Sequence, residues 1–342
     1  MKEGTSNYKL SDLTVLILTH NRQNCLLPAL QYWEGLGIRT LILDESPEPL
    51  KFHQPLQFSE YFHIQEPFAT RCRIAASLLD SKYSIVVSDD ELYTPSGLKE
   101  MSNLLDENEN LVSVGGVAIA VWEYGPQISA SWPYQGTFRY QNLEITPIER
   151  IKKHTGEGKK PLSAFFTSNM NRTEFLKDCL ELYSKSPVIA TEAISILTIC
   201  AAGKTKYVDS LFWIRNWNEF PKSHSSWDRS IYLHDWWKDN KNTQKWIEFR
   251  SNLNEAYLKI TRTDDFDEVW GLILSANEVA QPKIPAEKYR RRKPLDSYAG
   301  RYIKYYAKSL LGNRNIPKSV DQVLFEMTSK GISFDQSEVK RA

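Results

Sequence analysis

Short apolar runs alternate with segments of helical spacing through about the first hundred residues. Continuous runs rich in Val, Ile and Leu are typical of strands that are buried in a parallel sheet; they occupy residues 14–19, 39–44, 61–65 and 83–88. Apolar residues at helical spacing follow at 24–33, 70–79 and 95–105. This repetition predicts an α/β fold with a doubly wound, Rossmann-like, mostly parallel sheet that has helices on both faces.

The second part of the chain has a more mixed pattern. It predicts strands at 111–122, 137–145 and 206–214, and helices at 173–185 and 192–202. Residues 124–135 are rich in Pro, Gly and aromatic residues and are predicted to form a loop. The charged stretch RIKKHTGEGKK, residues 150–160, is predicted to be a mobile surface segment.

A shift in charge indicates a boundary near residue 281. Between Lys283 and Lys318 there are 11 Lys and Arg residues and only two acidic residues. We therefore expect a main domain over residues 1–280, with one half at about 12–100 and the other at about 110–280. A basic, helical C-terminal extension would follow over residues 281–342.

Composition excludes several classes of protein. Hydrophobic residues make up 41% of the chain and charged residues 25%, which is typical of a folded globular protein. The net charge of +1 argues against a nucleic-acid binder. The polar start has no signal-peptide pattern, and no apolar run approaches the ~20 residues of a membrane span, so we expect a cytoplasmic protein.

Polar clusters follow three of the predicted strands. They are Thr19-His20-Asn21-Arg22, Asp44-Glu45-Ser46 and Asp89-Asp90-Glu91. Ligands of such sheets bind outside the carboxyl ends of the strands, so we expect the three clusters to converge on one crevice. The acidic triplet offers hard oxygen ligands that suit Mn²⁺ or Mg²⁺. Alternatively, it is a solvated turn before a helix, where acidic residues are favoured.

The same segments carry a resemblance to a known family. The stretches TVLILTHNR (14–22), LDES (43–46) and ATRCRIAASLLDSKYSIVVSDDE (69–91) resemble the nucleotide-binding half of GT-A fold glycosyltransferases of the large inverting "family 2" type. The resemblance covers residues 12–100 and, more loosely, 160–217. Cys72 stands where the family often has Asn, and Glu91 replaces the usual last Asp of its metal motif.

The resemblance implies roles for individual residues. Asp89 and Glu91 would bind the metal, and Asp44 would accept hydrogen bonds from the base or ribose of a nucleotide. Arg71 would lie near the uracil or the phosphates. The full set implied for donor binding is Thr19, Asn21, Arg22, Asp44, Arg71 and Asp90, and the nucleotide expected by default is UDP.

An inverting transferase also needs a base that takes a proton from the acceptor hydroxyl. In the family this is the Asp of an x-Glu-Asp motif at the start of a helix. The corresponding stretch is 190–193, where Ala193 stands at the Asp position, so Glu192 is the predicted base. Alternatively, Glu192 is a structural carboxylate at a helix start. His224 is a candidate further metal ligand, or a solvated loop residue.

Aromatic and basic residues suggest the acceptor side. The basic segment 283–318 mixes Tyr with Lys and Arg, as in a helix at an anionic membrane surface, which would make the protein peripheral at the inner face of the membrane. A solvated or protein-binding helix is the alternative. Some of the tryptophans could form a platform for a sugar; the candidates are Trp132, Trp213, Trp217, Trp227, Trp236 and Trp237.

Together these features predict a metal-dependent, inverting glycosyltransferase of bacterial surface polysaccharide synthesis. It would move a sugar, as a hexosyl- or related transferase, from a nucleotide-sugar donor to a glycan or lipid-linked glycan, with no nucleic-acid partner. A sugar-phosphate nucleotidyltransferase is an alternative, although no Gly-rich phosphate loop follows the first strand. A non-catalytic carbohydrate-binding protein on the same fold is another.

Overall fold

The computed structural model describes residues 10–52, 54–124, 127–133, 138–159, 166, 168–216, 233–279 and 318–341. Its strands are β1 (Leu13–Thr19), β2 (Arg39–Asp44), β3 (Ser59–His63), β4 (Tyr83–Val87), β5 (Glu91–Tyr93), β6 (Leu111–Tyr124), β7 (Gln127–Ser131), β8 (Gln141–Asn142), β9 (Met170–Arg172), β10 (Lys204–Asn216) and β11 (Lys318–Ser319). Its helices are α1 (Gln23–Leu36), α2 (Phe68–Leu78), α3 (Pro95–Glu107), α4 (Pro147–Thr155), α5 (Thr173–Tyr183), α6 (Thr191–Ala202), α7 (Leu233–Asp239), α8 (Gln244–Thr261), α9 (Phe266–Val279), α10 (Val320–Ser329) and α11 (Gln336–Arg341).

One sheet organises the described chain. Its first four strands are parallel and lie in the order β3-β2-β1-β4. The short β9 lies antiparallel between β4 and β6, and β6 pairs in parallel with β10. Strands β1 to β4, β6 and β10 therefore share one direction, which confirms the predicted α/β fold with a mostly parallel sheet.

The alternation of side chains along β1 explains why its apolar run is continuous. Val15 and Ile17 point into a core cluster with α1 and α3, where Trp33 is fully buried. Leu16 points to the other face, into a larger cluster with α2, α5, α6 and α8. Both faces of the strand are covered by helices, as predicted for a parallel sheet.

Helix α6 forms the centre of the larger cluster. It is apolar on nearly all sides and is buried from Ala193 to Ala201, as expected for a helix inside a core. Helices α4, α5, α8 and α9 pack around it. None of the described helices combines the length and the hydropathy that crossing a membrane requires.

Three local predictions were wrong. The segment predicted as a loop contains β7, which pairs with the end of β6. The predicted mobile segment contains most of α4, which starts with a capping box between Thr146 and Glu149 and buries Ile151. The strand predicted at 137–145 is reduced, among its described residues, to the two residues of β8, and Ile145 is exposed.

Residues 318–341, which fall in the predicted extension, lie against the central sheet. Strand β11 pairs with β7, and Val323 and Met327 of α10 pack on Val117 and Ile119 of β6 in a third core cluster. The carboxylate of Glu338 accepts hydrogen bonds at the start of α3. The predicted boundary near residue 281 falls outside the described residues.

Candidate functional site

The polar strand ends meet at one edge of the sheet. Strand β1 lies between β2 and β4, and Thr19 at its end is the register partner of Asp44. The Thr19 hydroxyl donates a 2.5 Å hydrogen bond to Asp89 Oδ2. The backbone N–H of Asn21 donates a hydrogen bond to Ser46 Oγ at 3.0 Å. The three clusters therefore lie next to one another at this edge of the sheet, as expected from the topology.

The turn from β1 into α1 places Arg22 over the acidic residues. Asn21 adopts a left-handed backbone with φ of 55°, a conformation that Asn tolerates better than most residues. Arg22 follows, with Nη1 3.0 Å from Asp89 Oδ1 and Nη2 2.5 Å from Asp90 Oδ2. Burial lowers the pKa of Arg22, but the two carboxylates outweigh burial and raise it, so Arg22 is always charged.

Asp89 is a buried carboxylate, and one of its two oxygens, Oδ1, accepts no hydrogen bond from a described residue. Its residue is 3% exposed. Burial raises its pKa to about 6, despite the opposing effects of Arg22 and the Thr19 hydroxyl. Its Oδ1 lies beside Arg22, yet no described group gives it a hydrogen bond of good geometry. A buried carboxylate oxygen in this state is suited to a cation.

Glu91 faces a different partner. It is the register partner of Arg215 across the antiparallel pair β5–β10, and Arg215 Nε lies 3.0 Å from its Oε1. The Trp213 side chain also favours the charged form of this carboxylate. Burial raises the pKa of Glu91 to about 7, with the charge of Arg215 opposing the shift. The acidic triplet is therefore divided between two arginines.

This division bears on the predicted metal site. Asp89 and Asp90 converge on one cation and fit a divalent metal ion through hard oxygen ligands. Glu91 would have to leave Arg215 to join them. Among the described residues, no three His, Cys, Asp or Glu side chains come together as a metal-binding group. His224 lies outside the described residues, so the metal and its ligands stay predictions.

Asp44 is fully buried and is engaged by the protein. Its Oδ1 accepts hydrogen bonds from the amide and hydroxyl of Ser46, at 2.8 and 2.5 Å, and its Oδ2 accepts one from the Tyr61 hydroxyl at 2.7 Å. A carboxylate has about four acceptor positions, and three are used here. Asp44 thus fixes the turn after β2, and its contact with a nucleotide stays a prediction.

Arg71 connects the two neighbouring strand ends. Its Nη1 donates to the carbonyl oxygens of Thr19 and Leu43, at 2.9 and 3.2 Å, and its Nη2 contacts Glu45 at 2.5 Å. Burial lowers its pKa, and Glu45 partly offsets this. Arg71 is 4% exposed and holds the ends of β1 and β2 together. Its predicted donor contact stays a prediction.

Glu192 lies in the first turn of α6, with an exposed side chain. The surrounding protein still removes enough solvent to raise the pKa of its carboxyl, and the charge of Arg215 opposes that shift. Arg215 thus acts on both Glu91 and Glu192, which puts the predicted base on the same side of the molecule as the acidic residues.

Sequence reasoning missed Arg215. Its guanidinium stacks 5.4 Å from the centre of the Trp213 ring. The available signal was its place at the end of a long strand, the position that the other polar clusters share.

The predicted tryptophans pack against other aromatic rings. Trp213 is buried against Tyr93, and Trp237 packs between Trp246 and Trp270. Trp213 therefore belongs to a core, whereas Trp237 is half-buried.

Of the other tryptophans predicted to contact a sugar, two are buried and two lie outside the described residues. Trp132 and Trp236 are each 8% exposed, so neither offers a ring face to a sugar. Trp217 and Trp227 lie outside the described residues. The predicted sugar platform therefore finds no support at Trp132 and Trp236, and at Trp217 and Trp227 it stays a prediction.

Comparison with known proteins gives structural similarity only. No protein-family model matches the sequence, and no curated protein matches it. The chain is similar to S. aureus TarS 1-349 in complex with UDP-GlcNAc, with 15% identity and a TM-score of 0.44 over 89% of this chain and 93% of that chain. For the complex with UDP, the values are 12% identity and a TM-score of 0.39 over 82% and 92%.

A further crystal structure of S. aureus TarS matches with 14% identity and a TM-score of 0.39, over 86% of this chain and 55% of that chain. Identities and TM-scores at this level assign neither a family nor an activity. The function of the chain therefore rests on the geometry of its site.

Proposed function

We propose that the chain is a glycosyltransferase that moves a sugar from a nucleotide-sugar donor to a glycan or lipid-linked glycan. The proposal includes inversion at the anomeric carbon, dependence on Mn²⁺ or Mg²⁺, and a role in bacterial surface polysaccharide synthesis, with UDP as the default nucleotide. The observation that supports it is the cluster of charged residues at the ends of β1, β2 and β4, which Arg215 links electrostatically to Glu192.

On the donor side, Asp89 and Asp90 would hold the metal, with Glu91 as the further predicted ligand. A bound Mn²⁺ or Mg²⁺ supplies positive charge opposite the leaving nucleotide diphosphate. The Thr19 hydroxyl orients the Asp89 carboxylate through its 2.5 Å hydrogen bond. Arg22 is 14% exposed at its side chain, and its fork geometry suits phosphate oxygens.

On the acceptor side, Glu192 would act as the general base. Its carboxylate takes the proton of the acceptor hydroxyl while that oxygen attacks the anomeric carbon. The bond from this carbon to the diphosphate oxygen breaks on the opposite face, so the configuration inverts. The raised pKa of Glu192 increases its affinity for the proton and brings it closer to working pH, as catalysis by a base requires.

The test is a panel of UDP-, GDP-, dTDP- and CMP-sugars with Mn²⁺, with nucleotide release and product configuration measured with and without glycan acceptors. We expect release from one donor class, loss of that release in Asp89→Asn, and normal release in Asp80→Asn, a matched change at an exposed residue. Pyrophosphate formation from a nucleoside triphosphate and a sugar phosphate would indicate a nucleotidyltransferase instead. Binding of sugars without turnover would indicate a carbohydrate-binding protein.

A further inference from the structure

Arg22 is the one described cation that pairs with Asp89 and Asp90. The three side chains are largely buried, with exposures of 14% for Arg22, 4% for Asp89 and 9% for Asp90. Two neighbouring carboxylates repel each other in such surroundings, and the guanidinium between them removes most of that repulsion. Arg22 thus supplies the charge that a metal ion would supply at the same place.

Arg22 and a metal ion compete for the same carboxylate oxygens. A divalent ion binds carboxylate oxygen at ~2.1 Å for Mg²⁺, which requires the lone pairs that now face the guanidinium. Two carboxylates carry two negative charges, so a divalent ion neutralises them without help. With both cations present, the largely buried cluster would carry an excess positive charge.

The contacts that hold the Arg22 side chain are ones that a metal ion can replace. Besides the two carboxylates, its recorded side-chain partner is the Cys25 sulfur at 3.7 Å, which is a weak acceptor. Arg71 shows the contrast, because backbone carbonyl oxygens of Thr19, Leu43 and Glu66 fix its guanidinium. Carbonyl oxygens stay in place when a ligand binds, whereas carboxylate partners can be taken over by a metal ion.

We propose that Arg22 is an exchangeable counter-ion of the acidic pair. It neutralises Asp89 and Asp90 when no metal ion is bound, the metal ion displaces it, and the freed guanidinium binds the diphosphate of the donor. This inference rests on the proposed metal-dependent function. It makes the binding of metal and of donor cooperative, because the metal releases an arginine that the donor then uses.

The test measures Mn²⁺ affinity without any nucleotide, by calorimetry and by electron paramagnetic resonance of free Mn²⁺. Arg22→Gln removes the competing charge, so we expect it to bind Mn²⁺ tighter than wild type, on the order of tenfold. Arg22→Lys keeps the charge but not the fork and should lie between the two. Arg39→Gln is the control, because Arg39 also pairs with two carboxylates, Glu60 and Asp80, on the surface.

The melting temperature is a second measurement, which tests the exchange even if Arg22→Gln is less stable than wild type. With chelator, Arg22→Gln should melt at a lower temperature than wild type, because Asp89 and Asp90 then face each other without a cation. Mn²⁺ should raise its melting temperature by more than it raises that of wild type. Wild type and Arg39→Gln should gain equally.

The outcomes separate this inference from the proposed function. If wild type binds Mn²⁺ and Arg22→Gln binds it equally or more weakly, the exchange is wrong while metal dependence stands. If Mn²⁺ binds only to Arg22→Gln, no metal ion displaces Arg22 in wild type, so the exchange is wrong and Arg22 is a permanent counter-ion. If neither protein binds Mn²⁺ or gains stability from it, both the exchange and the metal dependence are wrong.

Discussion

Arg215, near the end of β10, stands directly opposite Glu91, the first residue of β5, and its Nε lies 3.0 Å from the Glu91 carboxylate. The positive charge of the same residue lowers the pKa of Glu192 against the effect of burial. Strand β10 thereby links the acidic residues that follow β4 to the carboxylate at the start of α6. This link makes Arg215 a positioning residue for both halves of the proposed reaction.

Replacing Arg215 by Gln should move the acid limb of the pH profile of kcat/KM to higher pH. A general base works in its deprotonated form, and Arg215 favours that form of Glu192. Arg215→Lys should keep the limb near its wild-type position. Arg139→Gln, which removes an exposed arginine paired with Asp209, should leave it unchanged. A limb that moves to lower pH in Arg215→Gln contradicts this role.

Replacing Glu192 by Gln should lower turnover by ~10² to 10⁴ while nucleotide-sugar affinity survives, because a Gln cannot accept the proton. Glu174→Gln is the matched control, since Glu174 is also an exposed first-turn carboxylate, on α5. Both changes should cost no more than ~1 kcal/mol of interaction with the helix dipole. Calorimetry, melting curves and initial rates separate the roles, and near-normal turnover in Glu192→Gln would exclude it as the base.

Without metal, ionisation of Asp89 and Glu91 should destabilise the fold. Burial raises their pKa values to about 6 and about 7, from ordinary values of 3.8 and 4.5. Between the ordinary and the raised value, the folded protein binds more protons than the unfolded chain. Their contribution to the free energy of unfolding is therefore complete at low pH and falls as pH rises to about 7, by on the order of 3 kcal/mol for each carboxyl.

Denaturant unfolding of chelator-treated protein between about pH 4 and pH 8 measures this loss. Asp89→Asn and Glu91→Gln should each remove part of the decline relative to wild type, and Asp80→Asn should not. Because other carboxyl groups also titrate, the difference between wild type and each variant is the quantity to compare. A difference that grows in favour of wild type as pH rises would show that the carboxylates are stabilised by folding.

Replacing Met327 by Ala should destabilise the whole domain by ~2 to 5 kcal/mol, because its side chain is fully buried against the sheet. Phe325→Ala on the same helix is the control, since Phe325 is 75% exposed and its loss should change stability by no more than ~0.5 kcal/mol. Chemical unfolding measures both. Equal stabilities would mean that residues 318–341 are not part of the cooperative unit.

The basic segment 283–318 should promote binding to anionic liposomes. Replacing Arg290, Arg291 and Arg292 by Gln should weaken that binding by ~1 kcal/mol for each charge, as sedimentation at low salt can measure. The matched control replaces three lysines in or near α4, Lys152, Lys153 and Lys159, by Gln. Equal binding by both variants would favour a protein partner for the segment.

The sequence was most informative where a strand is buried on both faces. The apolar runs of β1, β2 and β4 are continuous for that reason, and the polar residues after them necessarily meet at one edge of a parallel sheet. Helix α4 could also have been found, because Thr146, Pro147 and Glu149 form a capping-box pattern. The four lysines of residues 150–160 instead favoured the interpretation as a charged surface segment.

The pairing of Arg215 with Glu91 was not accessible in the same way. It depends on the antiparallel register of β5 and β10, strands that are far apart in the sequence. Likewise, the local sequence does not show that Asp44 accepts a hydrogen bond from the Tyr61 hydroxyl or that Arg71 donates to backbone carbonyl oxygens. These features arise from tertiary contacts that the spacing of residues along one element does not encode.

The position of residues 318–341 has a consequence for how the protein is made. Leu211 and Asp209 of β10 form backbone hydrogen bonds with Ser333. Leu211 and Ile214 of the same strand pack under α10. At 5 to 20 residues per second, a ribosome needs roughly 5 to 20 seconds to make the roughly one hundred residues between β10 and β11. Through that interval the nascent sheet lacks the cover of α10 on this apolar face, and the strand that bears Arg215 gains its hydrogen bonds with Ser333 only when the interval ends.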